Sequence, residues 1–172
     1  MANTYTLIST LTVGSGGSST IDFTSIPQTY NDLCLLVSGR DSTYGSATST
    51  AYARFNNDSS TSYKNLWLFN NGGTAGSTKD LAATVLLLAN QPGTSATSNT
   101  FSNALMYIPN YTSSNYKPIS VDNVMENNSV TVYETLLSGL WSSASAINRI
   151  TLSCDGAFAQ YSSASLYGIK SS

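Results

Sequence analysis

Residues 20–40, TIDFTSIPQTYNDLCLLVSGR, leave a chain few folds to choose from. Ile21 and Phe23 alternate with polar neighbours, the pattern of a half-buried strand. Pro27, inside Ser25-Ile26-Pro27-Gln28, has no N–H to give to a ladder and breaks that strand. From Tyr30 to Val37 the chain is then apolar nearly throughout. Leu33, Leu35 and Val37 point one way, and Cys34 and Leu36 the other. A strand that is apolar on both sides requires cover on both sides, inside a sandwich or beneath a neighbouring subunit.

The remaining sequence repeats this extended character in short pieces. Residues 4–13 alternate, with Tyr5, Leu7, Leu11 and Val13 on one face and Thr4, Thr6, Thr10 and Thr12 opposite. Residues 14–19, GSGGSS, form a flexible link. It reads either as a hairpin loop or as a hinge that makes residues 1–17 an N-terminal arm reaching a neighbouring subunit. Further strands are expected over 51–55, 63–69, 101–108, 119–125, 130–137, 147–154 and 165–170. Turn clusters separate them at 56–60 and 70–73 and at Asp155-Gly156. Residues 81–89, LAATVLLLA, fit a short helix or a buried strand by periodicity, and Val85 with Gly-rich flanks favours strand. About eight to eleven short strands with regular turn signals specify an all-β fold. The expected architecture is a single domain over residues 1–172, a two-sheet antiparallel sandwich, jelly-roll-like.

Composition supports this and narrows function. Charged residues are only 9% of the chain, against about a quarter in ordinary domains. Ser and Thr supply about three residues in ten. Hydroxyls and amides, not ions, therefore keep the surface wet, and such residues favour turns and edges over helix interiors. The net charge is -2, and the seven Lys and Arg are scattered, so no nucleic-acid footprint exists. No segment approaches the roughly 18 apolar residues of a membrane helix. The N-terminus lacks the basic and apolar regions of a signal peptide, and none is expected. Cys34 and Cys154 both lie in apolar strand-like contexts and read as buried free thiols.

Chemistry is sparse. Without histidine there is no Ser-His-Asp arrangement and no imidazole ligand, and two cysteines alone cannot close a zinc site. Residues 14–17 match a dinucleotide loop poorly, because no helical periodicity follows. The glutamates are Glu126 and Glu134, and the aspartates (Asp22, Asp32, Asp41, Asp58, Asp80, Asp122, Asp155) are dispersed on turns, so no paired acid and base stand out. Asn56-Asn57-Asp58 could offer oxygens to calcium but reads first as a self-capping turn. Trp67 and Trp141, with Tyr44, Tyr63, Tyr111 and Tyr116, could stack on sugar rings. The simpler reading places the tryptophans in the core or at a subunit interface. Asn-x-Ser/Thr triplets at Asn57, Asn110 and Asn127 are expected by chance in so hydroxyl-rich a chain. No enzymatic site and no cofactor are expected.

Four blocks carry a resemblance: YTLISTLTVG at 5–14, IDFTSIPQTYNDL at 21–33, RFNND at 54–58 and SLYGIK at 165–170. Together they resemble a group of small structural proteins of tailed bacteriophages. The resemblance implies a virion component without catalytic residues. It implies foremost a capsid decoration (cement) protein of jelly-roll type, commonly trimeric, made in the host cytoplasm and placed on the outer surface of the capsid. Its partners would be the major capsid protein and copies of itself. The alternative is a tail-fibre or baseplate module binding host surface glycan. The residues expected at interfaces are Tyr5, Leu7 and Leu11 on the N-terminal segment, with Trp67 and Trp141.

Overall fold

The computed structural model describes residues 4–128 and 133–170, and among them every regular element is a strand. In chain order these are β1 (Tyr5–Thr12), β2 (Ser18–Phe23), β3 (Asp32–Gly39), β4 (Thr48–Phe55), β5 (Tyr63–Asn71) and β6 (Thr74–Ala83). β7 (Leu86–Pro92), β8 (Ser102–Ile108), β9 (Lys117–Met125), β10 (Tyr133–Trp141), β11 (Ile150–Phe158) and β12 (Ser163–Ile169) complete the set. The first three residues of the strand expected over 130–137 lie outside the described residues, and the rest opens β10.

The strands form two antiparallel sheets, ordered β1-β12-β3-β8-β9-β10-β5-β6 and β2-β11-β4-β7. Setting aside β5, β6, β9 and β10, consecutive strands alternate between the sheets except for β4 and β7, which pair with each other in the smaller sheet. β1-β12-β3-β8 then stands against β2-β11-β4-β7, which is jelly-roll order. The four other strands are two inserted pairs, β5–β6 and β9–β10, that extend the larger sheet past β8. β7 crosses the inner side of β8, β9 and β10, so the smaller sheet covers only part of this extension. Gly139 lies under that crossing, where a Cβ would come within 2.5 Å of Leu86 Cδ1 and oblige that side chain to shift.

The core lies between the sheets. Leu33, Leu35 and Val37 of β3 face Ile150, Leu152 and Phe158 of β11 and Ala51, Ala53 and Phe55 of β4, all buried. Each large side chain buried there contributes about 1.5–3 kcal/mol relative to exposure. At one end Phe55, Tyr63 and Trp141 form an aromatic cluster with centroids 5.5–6.5 Å apart. The Trp141 indole Nε1 donates to Asp58 at 2.7 Å, and the Tyr63 hydroxyl accepts from the Phe55 N–H at 2.9 Å. Lys117 is fully buried beside this cluster, and its ammonium donates to the carbonyls of Ser113, Asn115 and Ser143. At the other end Arg40 donates to the carbonyls of Gly93, Ala96, Thr97 and Thr100. The adjacent Asp41, wholly buried, accepts from the backbone N–H of Thr43, Tyr44 and Gly156 and from the Ser49 hydroxyl.

Several expectations need correction. Residues 14–19 are not a hairpin loop: they carry the chain from β1 in one sheet to β2 in the other, with Gly16 and Gly17 at φ 101° and 75°. β1 is not a single alternating face. A bulge between Leu7 and Ser9 inserts an extra residue against β12, so Tyr5 and Leu7 lie on the outer face while Leu11 and Val13 turn to the core. Residues 81–89 are extended, but they belong to two strands in different sheets, because the chain crosses over between Ala83 and Leu86. Asp155-Gly156 is not a turn between strands. It sits in an irregular stretch within β11, where the Asp155 carboxylate accepts from Thr50 N–H and Tyr52 O–H. Asp41 is no surface turn residue, since a buried carboxylate with this many donors holds two segments together. The turn at 56–58 is self-capping as expected: Asn56 and Asn57 have positive φ, and Asp58 accepts from Ser60 N–H.

Candidate interaction surface

The larger sheet has two faces and the smaller sheet covers one. β3 shows the consequence residue by residue: Leu35 is 1% exposed, while Leu36 beside it is 41% exposed. Leu36 stands opposite Leu105 of β8, Leu105 opposite Asp122 of β9, Asp122 opposite Leu136 of β10 and Leu136 opposite Leu68 of β5. Directly opposed residues share a face, so these five form one row across five strands of the outer surface. Leu66 of β5 and Val124 of β9 flank the row, and both are exposed. Two shallow hollows of about 480 and 430 Å³ lie along it and share Leu105 and Asp122 as lining. Four exposed leucines in one row, interrupted by Asp122, make an apolar patch, which is the kind of surface feature that marks a candidate contact site, whereas scattered single leucines need no explanation.

This surface has few charges. Asp122 sits in the middle of the row, Glu134 lies two residues from Leu136 on β10, Lys79 of β6 stands opposite Leu66, and Lys64 of β5 lies on the same face with its ammonium donating to the carbonyls of Thr61 and Leu81. Asp122 and Lys79 have no hydrogen-bond or ion-pair partner among the described residues. At the opposite margin, on β1, Tyr5 and Leu7 are 57% and 53% exposed on the same outer face, with Leu7 opposite Tyr167.

The expected interface residues separate accordingly. Tyr5 and Leu7 belong to the outer face. Leu11 faces inward and packs on the core. Trp67 points to the inner side of β5 and is half-buried against the core. Trp141 is 2% exposed, and its polar atom is taken by Asp58, so it is a core residue and neither an interface nor a stacking platform. Tyr63 and Tyr111 are fully buried. Tyr44 and Tyr116 are exposed, but they lie in loops at opposite ends of the sandwich. β1 itself is paired along its length with β12 of the same chain. Leu36, Leu68, Leu105 and Leu136 were not singled out in the sequence as surface residues. Their signal is there: consecutive apolar residues in Leu35-Leu36, Leu66-Trp67-Leu68-Phe69, Ala104-Leu105-Met106 and Leu136-Leu137 mean that both faces of a strand are apolar.

The titratable groups outside this face serve the fold. Burial raises the Asp41 carboxyl, but hydrogen bonds from Thr43, Tyr44, Ser49 and Gly156 outweigh it and bring the group down to about 2. Burial also opposes Asp58, and bonds from Ser60, Ser62 and Trp141 hold it well below the usual carboxylate range. Cys154 is pushed up to about 12 by burial and by the nearby Asp41 charge, which leaves it an unreactive thiol. Both cysteines are free. No cluster of three metal-ligating side chains occurs among the described residues. No family model, curated protein or solved structure matches the chain.

Proposed function

We propose that this chain is a non-enzymatic structural protein of a bacteriophage virion, a capsid decoration protein bound to the outer surface of the shell. The observation that carries the reading is the bare outer face of the larger sheet, an apolar row with hardly any charge. Such a face suits repeated contacts in a symmetric assembly, where modest single contacts add up to high avidity. The four sequence blocks that resemble phage structural proteins point the same way. On this reading Tyr5 and Leu7, at the β1 margin of the face, contact the major capsid protein. Glycan binding by a tail module draws less support, because Trp141 is buried and Tyr44 and Tyr116 lie at opposite ends of the sandwich. Quantitative mass spectrometry of purified virions tests the proposal. Copy numbers comparable with the major shell subunit are expected, a trace amount would move the protein to the tail, and absence from virions would overturn the reading.

A further inference from the structure

The two inserted pairs give the larger sheet a wing, β9-β10-β5-β6, that the jelly-roll frame does not require. The middle of its outer face is apolar: Leu136, Leu68 and Leu66 are 56%, 57% and 50% exposed. Asp122 lies on one side of these leucines and Lys79 on the other. Asp122 is opposite Leu136, Leu136 opposite Leu68, and Leu66 opposite Lys79. The two charges are therefore three strands apart, about 14 Å across the sheet.

That arrangement is complementary to itself. Consider a twofold axis lying in the plane of contact, close to the strand direction and passing between Leu136 and Leu66. It brings Asp122 of each copy over Lys79 of the other and packs the two leucine groups together. A twofold axis through Asp122, or through Lys79, would instead oppose like charges, so the charge pattern selects one axis among those the apolar surface allows. The lysine's flexible stem absorbs the offset of two residue pairs, about 7 Å, between the two rows, and sheets stacked this way stay within the aligned range of about 30°. The size is adequate as well. Four strands of nine or ten residues make a face of roughly 19 by 30 Å. That is on the order of 600 Å² per copy, at the lower edge of what specific dimers bury.

We propose that the outer face of the wing is a twofold contact between two copies of this chain, with each Asp122 paired to the partner copy's Lys79 over the leucines. The contact uses the wing part of the face that supports the decoration reading; on that reading the shell contact lies at Tyr5 and Leu7 on the β1 margin, so the two are tested apart, and this contact is twofold where the phage resemblance implies three copies.

Analytical ultracentrifugation of the full chain, with circular dichroism as the folding control, tests it. The unaltered protein should sediment as a dimer in the micromolar range and dissociate more readily as salt is raised. Asp122→Lys and Lys79→Asp should each weaken the dimer by tenfold or more. The double variant Asp122→Lys/Lys79→Asp should regain most of that loss, because the pair is re-formed with its signs exchanged. Leu68→Ser/Leu136→Ser should abolish the dimer. If a reversal variant fails to fold, Asp122→Asn and the salt dependence of the unaltered protein carry the test. A monomer at about 100 µM, far above the dissociation constants of specific dimers, would overturn the proposal. So would a trimer mass, or a folded double reversal no tighter than the single ones. Shell attachment is read separately: dimers that never attach to shells would overturn the decoration reading alone.

Discussion

The Trp141 indole donates to the Asp58 carboxylate at 2.7 Å across 83 residues of sequence. This bond joins the end of β10 to the loop between β4 and β5. It fixes the largest core side chain by its one polar atom. Asp58 also accepts from the Ser60 and Ser62 hydroxyls. Asp58→Ala would leave a buried indole N–H without an acceptor and free the loop. A loss of about 2–3 kcal/mol in urea unfolding is expected, and Trp141→Phe should cost less than Asp58→Ala because it removes the donor as well.

Acid should unfold the protein through its hydrogen-bonded carboxylates. Asp41 has a folded-state value of about 2 against an ordinary value of 3.8. Its contribution is therefore fully present above the ordinary value and is lost as pH falls towards the folded one. Asp58 and Asp22 are shifted in the same direction. The melting temperature should be flat from neutral pH down to about 5 and fall steeply below about 4. Asp41→Asn should lower stability at neutral pH and flatten the acid limb, which thermal melts at stepped pH would read directly.

Leu35 and Leu36 are neighbours with opposite duties. Leu35→Ala opens a cavity between the sheets and should cost about 2–5 kcal/mol. Leu36→Ser removes a side chain from the open face and should change stability by no more than about 0.5 kcal/mol. Equal losses in denaturant titrations would mean that the outer face is covered within the monomer.

Tyr5 and Leu7 offer a cleaner probe of shell contact than deleting the first strand. Removing residues 1–13 would also take Leu11 and Val13 from the core and leave β12 with one unpaired edge. Tyr5→Ser/Leu7→Ser should keep the melting temperature within about 2 °C. The same pair should reduce re-attachment of purified protein to stripped shells several-fold. Unchanged attachment would remove β1 from the contact.

The fold was legible where side-chain alternation is local. β9 reads KPISVDNVM and is buried at every second position, with Ile119, Val121 and Met125 inward as the alternation suggests and Lys117 and Asn123 inward against it. β3 reads as apolar on both sides, and it is. What escaped lies where alternation is interrupted or absent. A bulge at Ile8 moves Tyr5 and Leu7 to the face opposite Leu11, and nothing in YTLIST marks it. β6, TAGSTKDLAA, is exposed at eight of its ten positions and has no apolar period to reveal it. The continuous apolar run 81–89 conceals a change of sheet. The surface row was visible only as doubled leucines, since a second apolar face has no sequence sign that separates burial from exposure.

The adjacent pair Arg40 and Asp41 has a consequence for how this chain can vary. Arg40 holds the 93–100 loop by its carbonyls, and Asp41 holds residues 43–49 and 156–157 by their donors. Lengthening any one of these loops would strip a buried ion of bonds that the others depend on. Inheritance at this end is therefore collective: the three loops can drift together around Arg40 and Asp41, or not at all.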